Sequence, residues 1–195
     1  TPKQHERWLQ PLLAGNIRSC FAMTEPDVAS SDATNMQTTI RRDGEHYVIN
    51  GRKWFTTGAK HPHCAFVIVM GVSDESADAD PYRRHAMVIV PMDTPGFRMV
   101  RNVPIMHHHA PEGHCEVTFT NVRVPVSCLL GEEGAGFALA QARLGPGRVH
   151  HCMRTIGQCE LALELMCERA MERRAFGKHL SDFANVQDWI AHSRV

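Results

Sequence analysis

The pattern of apolar and polar positions divides the chain into three textures. Between Lys3 and Ala14, Trp8, Leu12 and Leu13 recur near helical spacing, with Pro11 interrupting and Gly15 as a stop. This predicts the end of a helical segment over residues 1–16. From Ile17 to Leu130 the texture is β: Thr, Val and Ile are dense and turn signals recur at short intervals. Asp43-Gly44 between Thr38–Arg42 and Tyr47–Ile49 predicts a hairpin, and Asn50-Gly51 predicts a further turn into Arg52–Thr57. Cys64–Gly71, Ala86–Val90 and Glu116–Thr120 read as more strands, and acidic Ser73–Pro81 reads as a solvated loop. After Gly134 the pattern becomes helical. Val149, Cys152, Ile156, Cys159, Leu163, Met166 and Ala170 alternate steps of three and four, and a second helix is expected from about Asp182 through Val186, Trp189 and Ile190.

These textures predict an α+β fold. An antiparallel barrel or sandwich spans 17–130, and helices over 131–195 form part of an incomplete four-helix bundle. Two helices with one apolar stripe each need partners from another segment or subunit, so an oligomer is expected. Leu144-Gly145-Pro146-Gly147-Arg148 opposes the helical reading, because Pro146 lacks an N–H and two glycines flank it. Local physics predicts a break or kink there.

Composition narrows the function. The 195 residues carry 21 Lys+Arg and 21 Asp+Glu, so the net charge is zero and the basic excess of a phosphate-neutralising nucleic-acid binder is absent. The apolar run Cys64–Val72 is too short to span a bilayer. Seven cysteines form no CxxC pair, which suits reduced thiols. Thirteen histidines, including His61, His63, His107–His109, His114, His150 and His151, raise a metal alternative, but adjacent histidines on a strand point to opposite faces. The expected metal set is therefore empty.

Three segments could carry chemistry. Phe21-Ala22-Met23-Thr24 runs into a loop with Ser30 and Ser31, which could offer N–H groups and hydroxyls to a planar polar ligand or could be an ordinary strand-to-turn junction. In Lys53-Trp54-Phe55-Thr56, alternation puts Trp54 and Thr56 on one face and Phe55 on the other, suiting a flat heteroaromatic or a packed core. Glu172-Arg173-Arg174-Ala175-Phe176-Gly177 closes the long helix, where cations complement the dipole or could reach a pyrophosphate.

In order along the chain, IRSCFAMTEPDVASSDATN, GRKWFTTGA, FTNVRVP with LLGEEGAGF, and ERRAFGKHLSDF resemble the signature segments of the acyl-CoA dehydrogenase family. RLGPGRVHHCMRTIG is similar to a subgroup that includes dehydrogenase parts fused to kinase-like domains. The resemblance implies that the chain holds the end of an N-terminal helical domain, a middle β domain and the start of a C-terminal helical domain. It also implies one long helix through Pro146.

The implied activity is FAD-dependent oxidation of a fatty acyl-CoA to the trans-2-enoyl-CoA, with electron-transferring flavoprotein as acceptor and a dimeric or tetrameric enzyme. A non-catalytic flavin- or acyl-CoA-binding remnant is the alternative, and an oxygen-using relative a lesser one. The implied location is cytoplasmic in a bacterium, mitochondrial or peroxisomal in a eukaryote. Carried over residue by residue, Phe21, Ala22, Met23 and Thr24 bind the flavin, with Ser30 in the same loop. Trp54 covers the isoalloxazine, Thr56 bonds near N5, and Phe55 belongs to the same segment. Ser31 and Arg148 lie near the acyl-CoA, and Arg173 and Phe176 reach FAD across a subunit interface.

Two positions depart from the family pattern. Ala184 stands where the family often has Gln, which removes one implied FAD contact. Gly147 stands where some members carry a catalytic Glu, so the base is expected downstream of Val195 and no catalytic residue is assigned within the chain.

Overall fold

The computed structural model describes residues 1–76 and 78–195; Ala77, in the expected Ser73–Pro81 loop, lies outside the described residues. The chain divides into two compact units, Thr1–Gln141 and Ala142–Val195.

The first unit opens with α1 (Pro2–Gln4), a π-helical turn (His5–Leu9) and α2 (Gln10–Leu13). Gln4 Nε2 donates to the Ser127 and Leu129 carbonyls at 2.9 and 2.8 Å, and the Trp8 ring packs tilted against Phe66 with centroids 4.8 Å apart, so this segment is fastened to the sheet.

The sheet has eight strands: β1 (Arg18–Ala22), β2 (Thr39–Asp43), β3 (His46–Thr57), β4 (Cys64–Val72), β5 (His85–Pro91), β6 (Phe97–Asn102), β7 (His114–Pro125) and β8 (Leu129–Leu130). Their order is β6-β7-β3-β2-β4-β5-β8, with β1 also on β4. The expectation of a purely antiparallel barrel or sandwich is corrected here. β1 and β2 both pair with β4 in parallel, and the sheet is mixed and does not close into a barrel. Parallel neighbours need a crossover rather than a tight turn, and β3 supplies it between β2 and β4, while everything from the β1–β2 connection through β3 supplies it between β1 and β4.

The apolar run Cys64–Val72 has a clear packing reason. Val67 and Val69 of β4 join Val88 and Val90 of β5 in the larger core, while Met70 and Val72 join Met87, Met36 and Ala140 in a second cluster. A strand covered on both faces has no polar side to alternate with. The Asp43-Gly44 hairpin forms, but Asn50-Gly51 makes no turn: β3 runs straight through it, with a register shift between Ile49 and Gly51. A Cβ at Gly51 would lie 2.3 Å from Thr38 Oγ1, so glycine is needed there for close approach.

α3 (Gly136–Glu172) begins in the first unit and continues through the second, without the break that local physics predicts at Pro146 and as the family resemblance implies. No neighbour lies within 4 Å of a Cβ built on Gly145 or Gly147. Within the second unit, β9 (Arg174–Ala175) and β10 (Lys178–His179) form a hairpin whose turn residues Phe176 and Gly177 have φ of 51° and 82°. Two successive positive φ values mark a type I′ turn. α4 (Ala184–Arg194) follows, tied to α3 by Arg194 and Glu160 at 2.8 Å. Val149, Met153, Ile156, Leu161 and Leu165 of α3 are all more than half exposed.

Candidate functional site

Two of the sequence segments meet in the first unit. β1 delivers Phe21 and Ala22 to its end, and Met23, Thr24 and Glu25 continue toward the loop. The Trp54 N–H donates to the Thr24 carbonyl at 3.0 Å, joining the loop to β3. The Ser30 hydroxyl accepts from the Glu25 N–H at 2.8 Å and donates to the Glu25 carbonyl at 3.3 Å, so Ser30 shapes the loop through local bonds. Ser31 is exposed.

Beneath the loop lies an ion pair that no sequence pattern announced. Lys53 is completely buried and Glu25 is 4 % exposed, and their charged groups meet at 2.8 Å. Lys53 Nζ also donates to the Met23 carbonyl at 2.8 Å. The Glu25 carboxylate accepts from the Gln37 and Thr38 N–H groups at 2.7 and 2.8 Å. Burial raises the Glu25 pKa, but the Lys53 charge and hydrogen bond, with the bonds from Thr38 and Gln37, outweigh it and leave the carboxyl below its usual value. Burial dominates at Lys53 and lowers its pKa to about 8 against the opposing pull of Glu25. The partners stand 28 residues apart, so they share no short motif.

The face assignment for Trp54 and Thr56 needs correction. Lys53 opposes Val117 and Thr56 opposes Cys115, with a bulge between them and Phe55 at φ 49°. Val117 and Cys115 are two apart on β7 and share a face, so Lys53 and Thr56 share the inward face and simple alternation fails. Both are fully buried, Trp54 is half-buried and Phe55 is 40 % exposed. The Trp54 and Phe55 rings lie 4.7 Å apart. The Thr56 hydroxyl and the Trp54 indole N–H are buried without a hydrogen-bond partner.

His85 is a second group that sequence reasoning missed. It is fully buried at the start of β5, both ring nitrogens lack partners, and its pKa falls to about 4. Burial is the main cause, helped by the Arg84 and Lys53 charges and opposed by Glu25. Strand pairing places it opposite Val72, but no sequence period marks it as buried.

Arg148, Arg173 and Phe176 belong to the second unit. Both arginines are exposed, and Phe176 is 96 % exposed at the tip of the β9–β10 turn. Among the described residues, no group of three or more His, Cys, Asp or Glu could hold a metal ion, and no helix is long and apolar enough to cross a membrane.

Residues 20–122 match the family model for the acyl-CoA dehydrogenase middle domain, and residues 134–195 match that for the acyl-CoA dehydrogenase C-terminal domain. The chain belongs to the acyl-CoA dehydrogenase family. It is 56 % identical over its full length to the probable acyl-CoA dehydrogenase FadE2 of Mycobacterium tuberculosis, covering 47 % of that protein. It is 55 % identical to acyl-CoA dehydrogenase family member 11 of Gallus gallus, again over the full chain, covering 25 % of that protein. The crystal structure of an acyl-CoA dehydrogenase from Geobacillus kaustophilus superposes with a TM-score of 0.82 at 32 % identity, over all of this chain and 50 % of that one. The chain thus spans half or less of the relatives it matches.

Proposed function

We propose that this chain is the flavin-binding part of an enzyme that oxidises a fatty acyl-CoA to the trans-2-enoyl-CoA. Family membership supports the reaction class. The observation that carries the site is the Thr56 hydroxyl, buried without a partner in the segment that β1 and β3 bring together. A buried polar group left unpaired costs about 1–3 kcal/mol, so such an atom points to a partner supplied from outside the chain. The Trp54 indole N–H is also buried without a partner.

These residues fit FAD. Bound there, FAD supplies the acceptor for the substrate's β-hydride. Trp54 would cover the ring system, the Thr56 hydroxyl would bond its edge, and the Phe21–Thr24 backbone with the Thr24 hydroxyl would hold its polar side. Arg173 and Phe176 would contact the cofactor from a neighbouring subunit of a dimer or tetramer, and Ser31 and Arg148 would meet the acyl-CoA. Electron-transferring flavoprotein is the acceptor this reading implies.

Removing the substrate's α-proton needs a carboxylate free to accept it. Glu25 does not serve, because both its oxygens are occupied by Lys53 and the Gln37 and Thr38 amides. Gly147 has no side chain to offer, and the family resemblance then implies a base downstream of Val195.

The test is reconstitution of the full-length protein with FAD, followed by a panel of acyl-CoAs with an artificial electron acceptor. A flavin absorbance band and acyl-CoA-dependent reduction of the acceptor are expected. A flavin band with no turnover on any acyl-CoA would favour a binding remnant, and no flavin band would refute the enzyme and a flavin-binding remnant alike.

A further inference from the structure

We propose that Lys53 and Glu25 are positioning residues: their buried ion pair buckles both ends of the β1–β2 connection to β3, and so holds Thr24 and Trp54 in place for the cofactor. The proposal rests on the flavin-binding reading above.

The connection leaves β1 at Met23 and reaches β2 through Gln37 and Thr38. Its first end is held by Lys53 Nζ on the Met23 carbonyl at 2.8 Å and by the Trp54 N–H on the Thr24 carbonyl at 3.0 Å. Its second end is held by the Gln37 and Thr38 N–H groups on the two Glu25 oxygens. Thr38 is anchored in turn, because its carbonyl accepts from the Val72 N–H of β4 at 2.7 Å. One carboxylate therefore closes the loop on itself, and one ammonium ties that closure to the strand bearing Trp54 and Thr56.

Only an ionised carboxylate satisfies this geometry. Glu25 Oε1 faces two donors and Oε2 faces a third, so a Gln side chain would turn an NH₂ group toward a donor whichever way it lay. Lys53, fully buried, has no water to replace a lost partner. A simple structural pair would join two surfaces once; this one gathers three segments, two of which carry candidate cofactor contacts.

The test compares the full-length parent with Glu25→Gln and Lys53→Met, and with the double variant Glu25→Leu/Lys53→Met, which removes both charges and leaves no buried ion unpaired. Folding is checked by circular dichroism and cooperative unfolding. Amide hydrogen exchange is followed in peptides covering 24–38 and 50–57, together with FAD affinity and the visible circular dichroism of bound flavin. In the folded double variant, exchange in both peptides should accelerate about tenfold or more, FAD affinity should fall about tenfold or more, and the flavin signal should change shape. Unchanged FAD affinity and flavin signal in the folded double variant overturn the proposal, whatever the exchange rates. If the parent binds no FAD, the proposed function fails, and the proposal falls with it as a statement about the cofactor. Exchange in the two peptides then shows separately whether the ion pair buckles the loop.

Discussion

The Trp54 N–H donates to the Thr24 carbonyl at 3.0 Å, and this one backbone bond brings together two segments separated by 29 intervening residues. It lies beside a bulge in β3, where the ladder skips between Lys53 and Thr56. Trp54 and Phe55 are the residues the β7 ladder skips, and the Trp54 N–H bonds the loop after β1. A locally irregular strand is thus the means by which the candidate flavin residues converge.

Trp54→Ala should weaken FAD binding more than Phe55→Ala. The ground is exposure and polarity rather than alternation: Trp54 is half-buried with its indole N–H unpaired, whereas Phe55 is 40 % exposed at a positive φ. Equilibrium titration of the two variants with FAD checks this, and equal dissociation constants would remove Trp54 from the site.

His85 should make stability fall on mild acidification. Its folded pKa is about 4 against an ordinary 6.5, so between those values the unfolded chain binds a proton that the folded one refuses. Stability from this group is intact above about pH 6.5, and about 2 kcal/mol of it is lost by about pH 5. Urea unfolding at the two pH values measures the loss, and His85→Leu should flatten the slope. An equal slope in that variant would assign the effect elsewhere.

Two glycine substitutions should act in opposite directions. A Cβ on Gly96, at φ 90°, would lie 2.2 Å from the Thr120 carbonyl oxygen, so Gly96→Ala should cost about 2 kcal/mol or more. Gly157, inside α3, has nothing within 4 Å of the place an alanine methyl would occupy, and in the 195-residue chain by itself Gly157→Ala should gain about 0.5–1 kcal/mol. Thermal unfolding of the two variants beside the parent decides both.

The full-length protein should sediment as a dimer or larger. Val149, Met153, Ile156, Leu161 and Leu165 stand more than half exposed along α3, apolar surface that other helices or another subunit must cover. Sedimentation velocity at about micromolar concentration is the measurement. A stable monomer there would contradict the expectation.

Much of the fold was legible because it is local. The Asp43-Gly44 turn, the apolar run of β4 and the three-four spacing of α3 each follow from short-range periods. The failures have physical causes as well. Asn50-Gly51 has turn chemistry, yet Thr38 across the ladder needs the space that Gly51 leaves, and β3 continues. Gly-Pro-Gly has breaker chemistry that misleads a local reading, yet α3 runs through it as the family resemblance implied. In the candidate site, the segments around Thr24 and Trp54 were singled out by the family resemblance, since their composition suits an ordinary turn and a packed core equally well. The pair that joins them was not, because Glu25 and Lys53 look like ordinary surface charges until their burial is known.

The sequence by itself determined the order of textures, the strands with strong apolar runs, the long helix stripe and the family signatures. These depend on residues within a few positions of one another. Tertiary structure alone decided that β1 and β2 run parallel to β4, that a bulge places Thr56 on the face of Lys53, and that His85 is buried with both ring nitrogens unpaired. It also decided that one carboxylate gathers the ends of the β1–β2 connection. The physical reason is that burial and charge pairing are properties of what surrounds a side chain. A lysine in water and a lysine sealed against a glutamate are spelled with the same letter, and only the packing of distant strands tells them apart.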